Sequence, residues 1–302
     1  MTQSVAGSRA GVTPTARTGR RHPDRPHTVV RWRSVLLWLV VLATAVLWML
    51  PLAFALLTSV KSEADILGTS LFTLPTSLDW ENYVEAIQTG NLLQAARNSL
   101  MIALIKVPAG LLISAAAAFA LARIRFRYSG IVLAVIAFGA MVPVQVAIAP
   151  LFQVMLALDL LNNPLALVLP YIGFGLPYQV FILYGFFRQI PAELDESAML
   201  DGAPNRRLFF QIILPLSKPA LAALFILDFV ATWNEFGIAL VLLQRQESWT
   251  IPLAVQGFQS KFTTSYGPIN AFTLMSVIPV LVIYLMFQRY FVQGAFAGAV
   301  KG

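Results

Sequence analysis

Six stretches of the chain run almost unbroken through apolar side chains, at about 35–59, 99–121, 131–157, 165–187, 219–243 and 270–292. Each is long enough to cross about 30 Å of hydrocarbon at about 1.5 Å per residue of helix, so each predicts a transmembrane α-helix. The first runs well past the roughly 7–15 apolar residues of a cleaved signal sequence and is expected to remain in the protein. Two polar connections are longer than simple turns, at about 60–98 and 188–218. The expected architecture is an all-α membrane protein with six transmembrane helices and a membrane domain over 34–302. Residues 1–33 form a basic tail rich in Thr, Pro, Gly and Ser, which predicts disorder.

Composition removes most other classes. Apolar residues make up 58% of the 302 positions and charged residues 12%, with a mean hydropathy of +0.74. A soluble domain carries about 25% charge, so this chain has too little polar surface to cover itself in water. Cysteine is absent, which excludes disulfides and thiolate chemistry, and His22 and His27 both lie ahead of the first span. A metal or catalytic centre built on histidine within the membrane is therefore excluded, which leaves an intramembrane enzyme without its usual groups.

The net charge of +7 is distributed by side rather than by patch. Arg9, Arg17, Arg20, Arg21, Arg25, Arg31 and Arg33 precede the first span. With that end inside, Arg123, Arg125, Arg127, Arg188, Arg206, Arg207, Lys218, Arg289 and Lys301 fall on the same side. Only Lys61, Arg97, Arg245 and Lys261 fall outside. The asymmetry follows the positive-inside rule and places both termini in the cytoplasm. The tail is read as an orientation signal touching anionic lipid, not as a nucleic-acid arm. In the outer loop, Asp79-Trp80-Glu81-Asn82-Tyr83 carries aromatic rings suited to the membrane interface.

Charges inside hydrocarbon cost about 2.5–3.5 kcal/mol each on insertion scales, so each needs a partner or a polar cavity. Asp228, Thr232 and Glu235 recur at helical spacing on the fifth span, and Lys106, Gly110 and Ser114 stripe the second. Gln145 and Gln153 share a side of the third, and Asn234 adjoins Glu235. These faces are expected to line a pathway or a helix interface. Counted from the predicted span ends, Lys106 and Glu235 lie at similar depth, which predicts that they pair, within this chain or through an interface with a partner. In the fourth span Pro170, Gly173, Gly175 and Pro177 predict a bend, with Tyr171, Tyr178 and Gln179 as candidate contacts.

The inner loop is the most specific feature. Pro191 suits the first turn of a helix, Glu193 and Asp195 suit its positive end, and Gly202 suits a left-handed C-terminal cap. A short helix of about ten residues on the cytoplasmic face is expected. Its four acids are spread around it, Leu194 and Ala198 share one side, and Leu200 projects on another. Anionic lipid would repel such a helix, whereas a cleft that touches several sides would suit it.

The spacing Glu196-Ser197-Ala198, three residues, Gly202, nine residues, Ile212, one residue, Leu214-Pro215 resembles the EAA signature of ABC importer permeases. Ser197 stands where the family usually has Ala. Met141-Val142-Pro143, Pro150-Leu151, Leu169-Pro170-Tyr171, Leu214 to Pro219, Thr232-Trp233-Asn234-Glu235-Phe236 and the ending from Gln288 to Gly302 resemble the carbohydrate branch of that family. The likeness runs from about residue 35 to the end, and the chain resembles the second membrane subunit of the maltose importer. It implies that the loop forms a coupling helix, through Glu193, Glu196, Ser197, Ala198, Leu200, Asp201 and Gly202 with Pro215 beyond, that docks on a cytoplasmic ATPase. It also implies as partners a second, related permease, a dimer of ATP-binding subunits and an external solute-binding protein, in a prokaryotic cell membrane. This chain has no glycine-rich phosphate loop, so ATP and Mg are expected in the partner and the chain itself is not expected to be an enzyme. The rival from a different class is an ion-coupled secondary transporter that would use Asp228 and Glu235.

Overall fold

The structure, a computed structural model, describes residues 27–70, 73–258 and 265–299, with side chains from 32 to 289. Nearly all of the basic tail, and the side chains of the C-terminal motif from Tyr290 onward, lie outside the described residues. Among the described residues every regular element is helical. Five helices are long and apolar enough to cross a membrane, or six spans if one bent pair counts as a single crossing.

Helix α1 (His27–Ser59) contributes to two units, residues 1–50 and 51–302. In the first, the side chains from Trp32 to Leu50 are all exposed, the disposition of a helix whose surroundings are lipid. The second unit holds the end of α1, then α2 (Glu63–Gly68), α3 (Glu81–Gln88), α4 (Leu92–Arg123), α5 (Ser129–Met141) and α6 (Val144–Ala157). After a 3₁₀ turn at Pro164–Leu167 come α7 (Val168–Phe187), α8 (Glu193–Leu200), α9 (Lys218–Trp233), α10 (Gly237–Leu242) and α11 (Tyr266–Ala299).

The core forms where α4 lies against α7 and α9, with α11 packed on the far side of α9. Along α4 the buried positions recur as Ala95, Ser99, Ala103, Gly110, Ala115 and Ala118. Small side chains let helix backbones approach, which matters in a bilayer where apolar burial does not favour helix over lipid. At Gly110 a methyl would make only ordinary contact, 3.6 Å from Ile172 Cγ1.

Three expectations change. The third span is not one helix, because α5 and α6 meet at a 94° bend. Pro143 drives it by forcing Val142 into the extended region, at φ −76° and ψ 116°, where a helix cannot continue. The fifth span stops at Trp233 and resumes at Gly237. Conversely, Pro177 does not interrupt α7, which runs as α-helix from Val168 to Phe187, and Pro170 falls in its first turn where no amide partner is lost. Between α8 and α9 the chain passes through a π-helical stretch, Leu208–Ile213, which sequence periodicity did not signal.

The loop between α1 and α4 is ordered by a few buried polar groups. Asn82 Nδ2 donates to the carbonyls of Ser59 at 3.1 Å and Lys61 at 2.9 Å, and Ser59 Oγ meets Tyr83 Oη at 2.9 Å. Gly267 of α11 presses on the same amide, since a methyl there would come 2.6 Å from Asn82 Oδ1. Asn82→Ala should cost about 1–3 kcal/mol by leaving buried carbonyls unpaired, and Gly267→Ala should destabilise the same corner. Thermal unfolding of the purified protein in detergent checks both, and melting unchanged in both variants would contradict the packing.

Candidate functional site

The charged groups in the membrane gather into one cluster, but not in the pairing that span depth predicted. Lys106 on α4 forms its ion pair with Asp228 on α9, with side chains only 4% and 1% exposed. Tyr178 Oη donates to the same Asp228 oxygen at 3.3 Å. Within this chain the expected Lys106–Glu235 pair is not formed. The depth was misjudged because α4 begins at Leu92 rather than near 99, which places Lys106 about 21 Å into the helix. It therefore reaches the level of Asp228.

Glu235 has a different task. Its carboxylate accepts from the Ile238 amide at 2.7 Å and the Ala239 amide at 3.2 Å, and Tyr171 Oη donates to it as well. It thus caps α10, satisfying donors that the break at 234–236 would otherwise leave bare in an apolar setting. Thr232 Oγ1 bonds back to the Asp228 carbonyl at 2.7 Å, and Ser114 Oγ donates to Gln179 Oε1 at 2.8 Å. Gly175 makes room for the cluster, because a methyl there would lie 3.2 Å from Lys106 Nζ and 3.3 Å from Gln179 Nε2. Asp228 Oδ2 and Gln179 Nε2 remain buried without partners, leaving a spare acceptor and a spare donor.

A cavity of about 220 Å³ opens beside the ion pair, lined by Tyr171, Phe174, Tyr178, Asp228, Thr232 and Glu235 among others. Aromatic faces and carboxylates in one small space can stack against a ring and accept from hydroxyls. Gln145 and Gln153 do not join it; both are exposed on α6 beyond the 94° bend. Asn234 is also exposed and bonds back to the Val230 carbonyl at 2.9 Å.

Residues of the 188–218 loop form the short helix α8, which starts at Glu193, so Pro191 lies just ahead of the first turn rather than in it. Gly202 has φ 75°, its amide donates to the Met199 carbonyl at 3.0 Å, and the Ala203 amide donates to the Ala198 carbonyl at 2.9 Å. That pair of bonds is a Schellman cap, and only a residue tolerant of positive φ fits it. Glu193, Glu196, Ser197, Asp201 and Pro215 are exposed, and Leu200 is 89% exposed, whereas Ala198 and Asp195 turn inward. Asp195 was not among the sequence-derived contacts. Arg123, at the end of α4, lies beside it with Nε 3.1 Å from Asp195 Oδ2. Burial raises the Asp195 carboxyl above its ordinary range, and the nearby Arg123 charge offsets this only in part. No local signal could have joined residues so far apart in the chain.

Residues 106–296 match the family described as binding-protein-dependent transport system inner membrane component. The diacetylchitobiose uptake system permease protein NgcG of Streptomyces coelicolor is 34% identical over 268 residues, covering 88% of this chain and 86% of its own. The trehalose/maltose transport system permease protein MalG of Thermococcus litoralis is 33% identical over 274 residues, covering 89% and 98%. Among solved structures, a chain of a bacterial ABC transporter involved in the import of the acidic polysaccharide alginate superposes with a TM-score of 0.75. It is 23% identical, over 89% of this chain and all of that one, and so supports the fold.

Removing one member of a buried ion pair leaves an uncompensated charge, which costs about 3–5 kcal/mol, whereas removing both is far less damaging. Lys106→Met should therefore lower thermal stability sharply, and Lys106→Met with Asp228→Leu should recover most of the loss. Melting curves of the three proteins decide it. A single variant as stable as the parent would rule the pair out as a structural element.

Proposed function

Because the chain belongs to the family of binding-protein-dependent transport system inner membrane components, we propose that it is one of two related membrane subunits of an ATP-driven importer. Its cargo is a sugar or related carbohydrate, as the names of its relatives indicate for those proteins. The membrane is the cytoplasmic membrane of a prokaryote, with both termini and α8 on the inner side, in keeping with the skew of basic residues. The partners are the second permease, a pair of ATP-binding subunits that hold ATP and Mg, and an external solute-binding protein. A solved relative is described in complex with an alginate pentasaccharide-bound periplasmic protein.

The observation that carries this reading is the form of α8. It is an acidic helix of eight residues, fixed at its end by the Gly202 cap, with Glu193, Glu196, Ser197 and Leu200 exposed together. With Leu194 and Met199 also exposed on the same helix, Leu200 at 89% exposure puts apolar surface on a polar loop, as a site of protein contact does. The ATPase subunit is that surface, and closure of the ATPase pair on ATP rocks the membrane helices through α8. The cavity flanked by Tyr171, Phe174 and Tyr178 lies on the solute route, where the rings and the one unpartnered oxygen of Asp228 suit a hydroxylated solute. An ion-coupled transporter is less well supported: Asp228 already faces Lys106, and Glu235 already caps α10.

Tagged protein purified from its native host should bring down an ATP-binding subunit and a second permease. Glu196→Arg combined with Leu200→Asp should lose the ATP-binding subunit while retaining the second permease. Gly202→Asp should reduce retention as well, by straining the cap. Full retention of the ATP-binding subunit by the double variant would overturn the assignment of α8.

A further inference from the structure

We propose that Arg123 is the residue through which displacement of α8 becomes movement of α4, and so of the membrane cluster. This rests on the reading of α8 as the ATPase-docking helix. Arg123 is the last residue of α4, and its guanidinium spans the start of the loop. Nη2 donates to the Ile190 carbonyl at 2.7 Å, and Nε lies 3.1 Å from Asp195 Oδ2 in the first turn of α8. The two side chains are each only 10% exposed, so the contact is shielded from the solvent screening that makes surface ion pairs weak. It is also favourably placed, with a cation at the C-terminus of α4 and an anion at the N-terminus of α8.

A second contact grips the loop on its other side. Phe119, one turn back along α4, meets Phe209 with ring centroids 5.2 Å apart, and Phe209 lies in the π-helical stretch that follows α8. The last turn of α4 thus holds the α8 loop upstream and downstream. Arg123 and Asp195 also line a recess of about 670 Å³, together with Arg125, Arg127, Glu196 and Met199 among others.

From Arg123 α4 continues as helix to Lys106, about 25 Å away, with Pro108 two residues past Lys106 within it. Ser114 ties the same helix to Gln179 of α7 on the way, and Lys106 ties it to Asp228 of α9. A shift of the α4 terminus therefore reaches the walls of the cavity directly. Arg123 is a positioning residue here; it need not touch solute or nucleotide.

The test uses the complex purified with its ATP-binding subunit in lipid nanodiscs. Spin labels at Leu93, at the far end of α4, and Asn205, just past α8, report the distance between the two elements. In the wild type that distance should be the same without nucleotide and after vanadate trapping with ATP, because the elements move together. In Arg123→Ala it should shift and broaden on trapping. Asp195→Asn keeps the shape of the side chain and the Arg123 bond to Ile190, so it should fold and show a smaller shift. Exchanging the charges, Arg123→Asp with Asp195→Arg, should narrow the distribution again, a rescue that a purely structural defect would not give. Distances in Arg123→Ala and Asp195→Asn that stay as fixed as in the wild type would overturn the inference while leaving the role of α8 intact. Absence of any ATP-binding subunit from the wild-type preparation would instead overturn that role, and the inference with it.

Discussion

A lysine and an aspartate far apart in the chain meet between α4 and α9, in an environment that offers neither a replacement. Hydrocarbon makes each charge expensive alone and the pair affordable, so the contact fixes which faces of the two helices must touch. The small residues of α4 follow from this requirement: close approach of α4 and α7 brings Gly175 and Gln179 up to the ion pair. The cavity beside the pair is what remains when charged and aromatic groups on several helices are brought to one depth without filling the space.

The same shortage of water explains how the chain tolerates its irregular backbone. A break at 234–236 exposes amides at the start of α10, and Glu235 supplies the acceptors from within the break itself. At Met141–Val144 the chain turns through 94° with a proline at the corner, which has no amide to satisfy. Pro177 creates no break, because its neighbours in α7 are held by packing on α4. Proline content alone is thus a poor guide to where a membrane helix bends.

The arrangement also divides labour along one helix. The C-terminal end of α4 is held to the α8 loop by Arg123 and Phe119, and its middle is held to α7 and α9 by Ser114 and Lys106. The stretch from α8 to α9 differs from α4 in carrying a π-helical turn at Leu208–Ile213.

Much of this was legible in the residues themselves. Apolar length marked the spans, Gly202 marked the end of α8, and helical spacing placed Lys106, Gly110 and Ser114 on a buried face, because each depends on neighbours within a turn or two. The bend at Pro143 follows from a rule as local as these and was hidden by an apolar run continuing across it. Partnership was another matter. Whether Lys106 met Asp228 or Glu235 turned on where α4 begins, and Arg123 meeting Asp195 turned on how the ends of two elements come together. Periodicity states which side of a helix is polar; only the packing of one helix on another sets the depth and rotation that choose its partner.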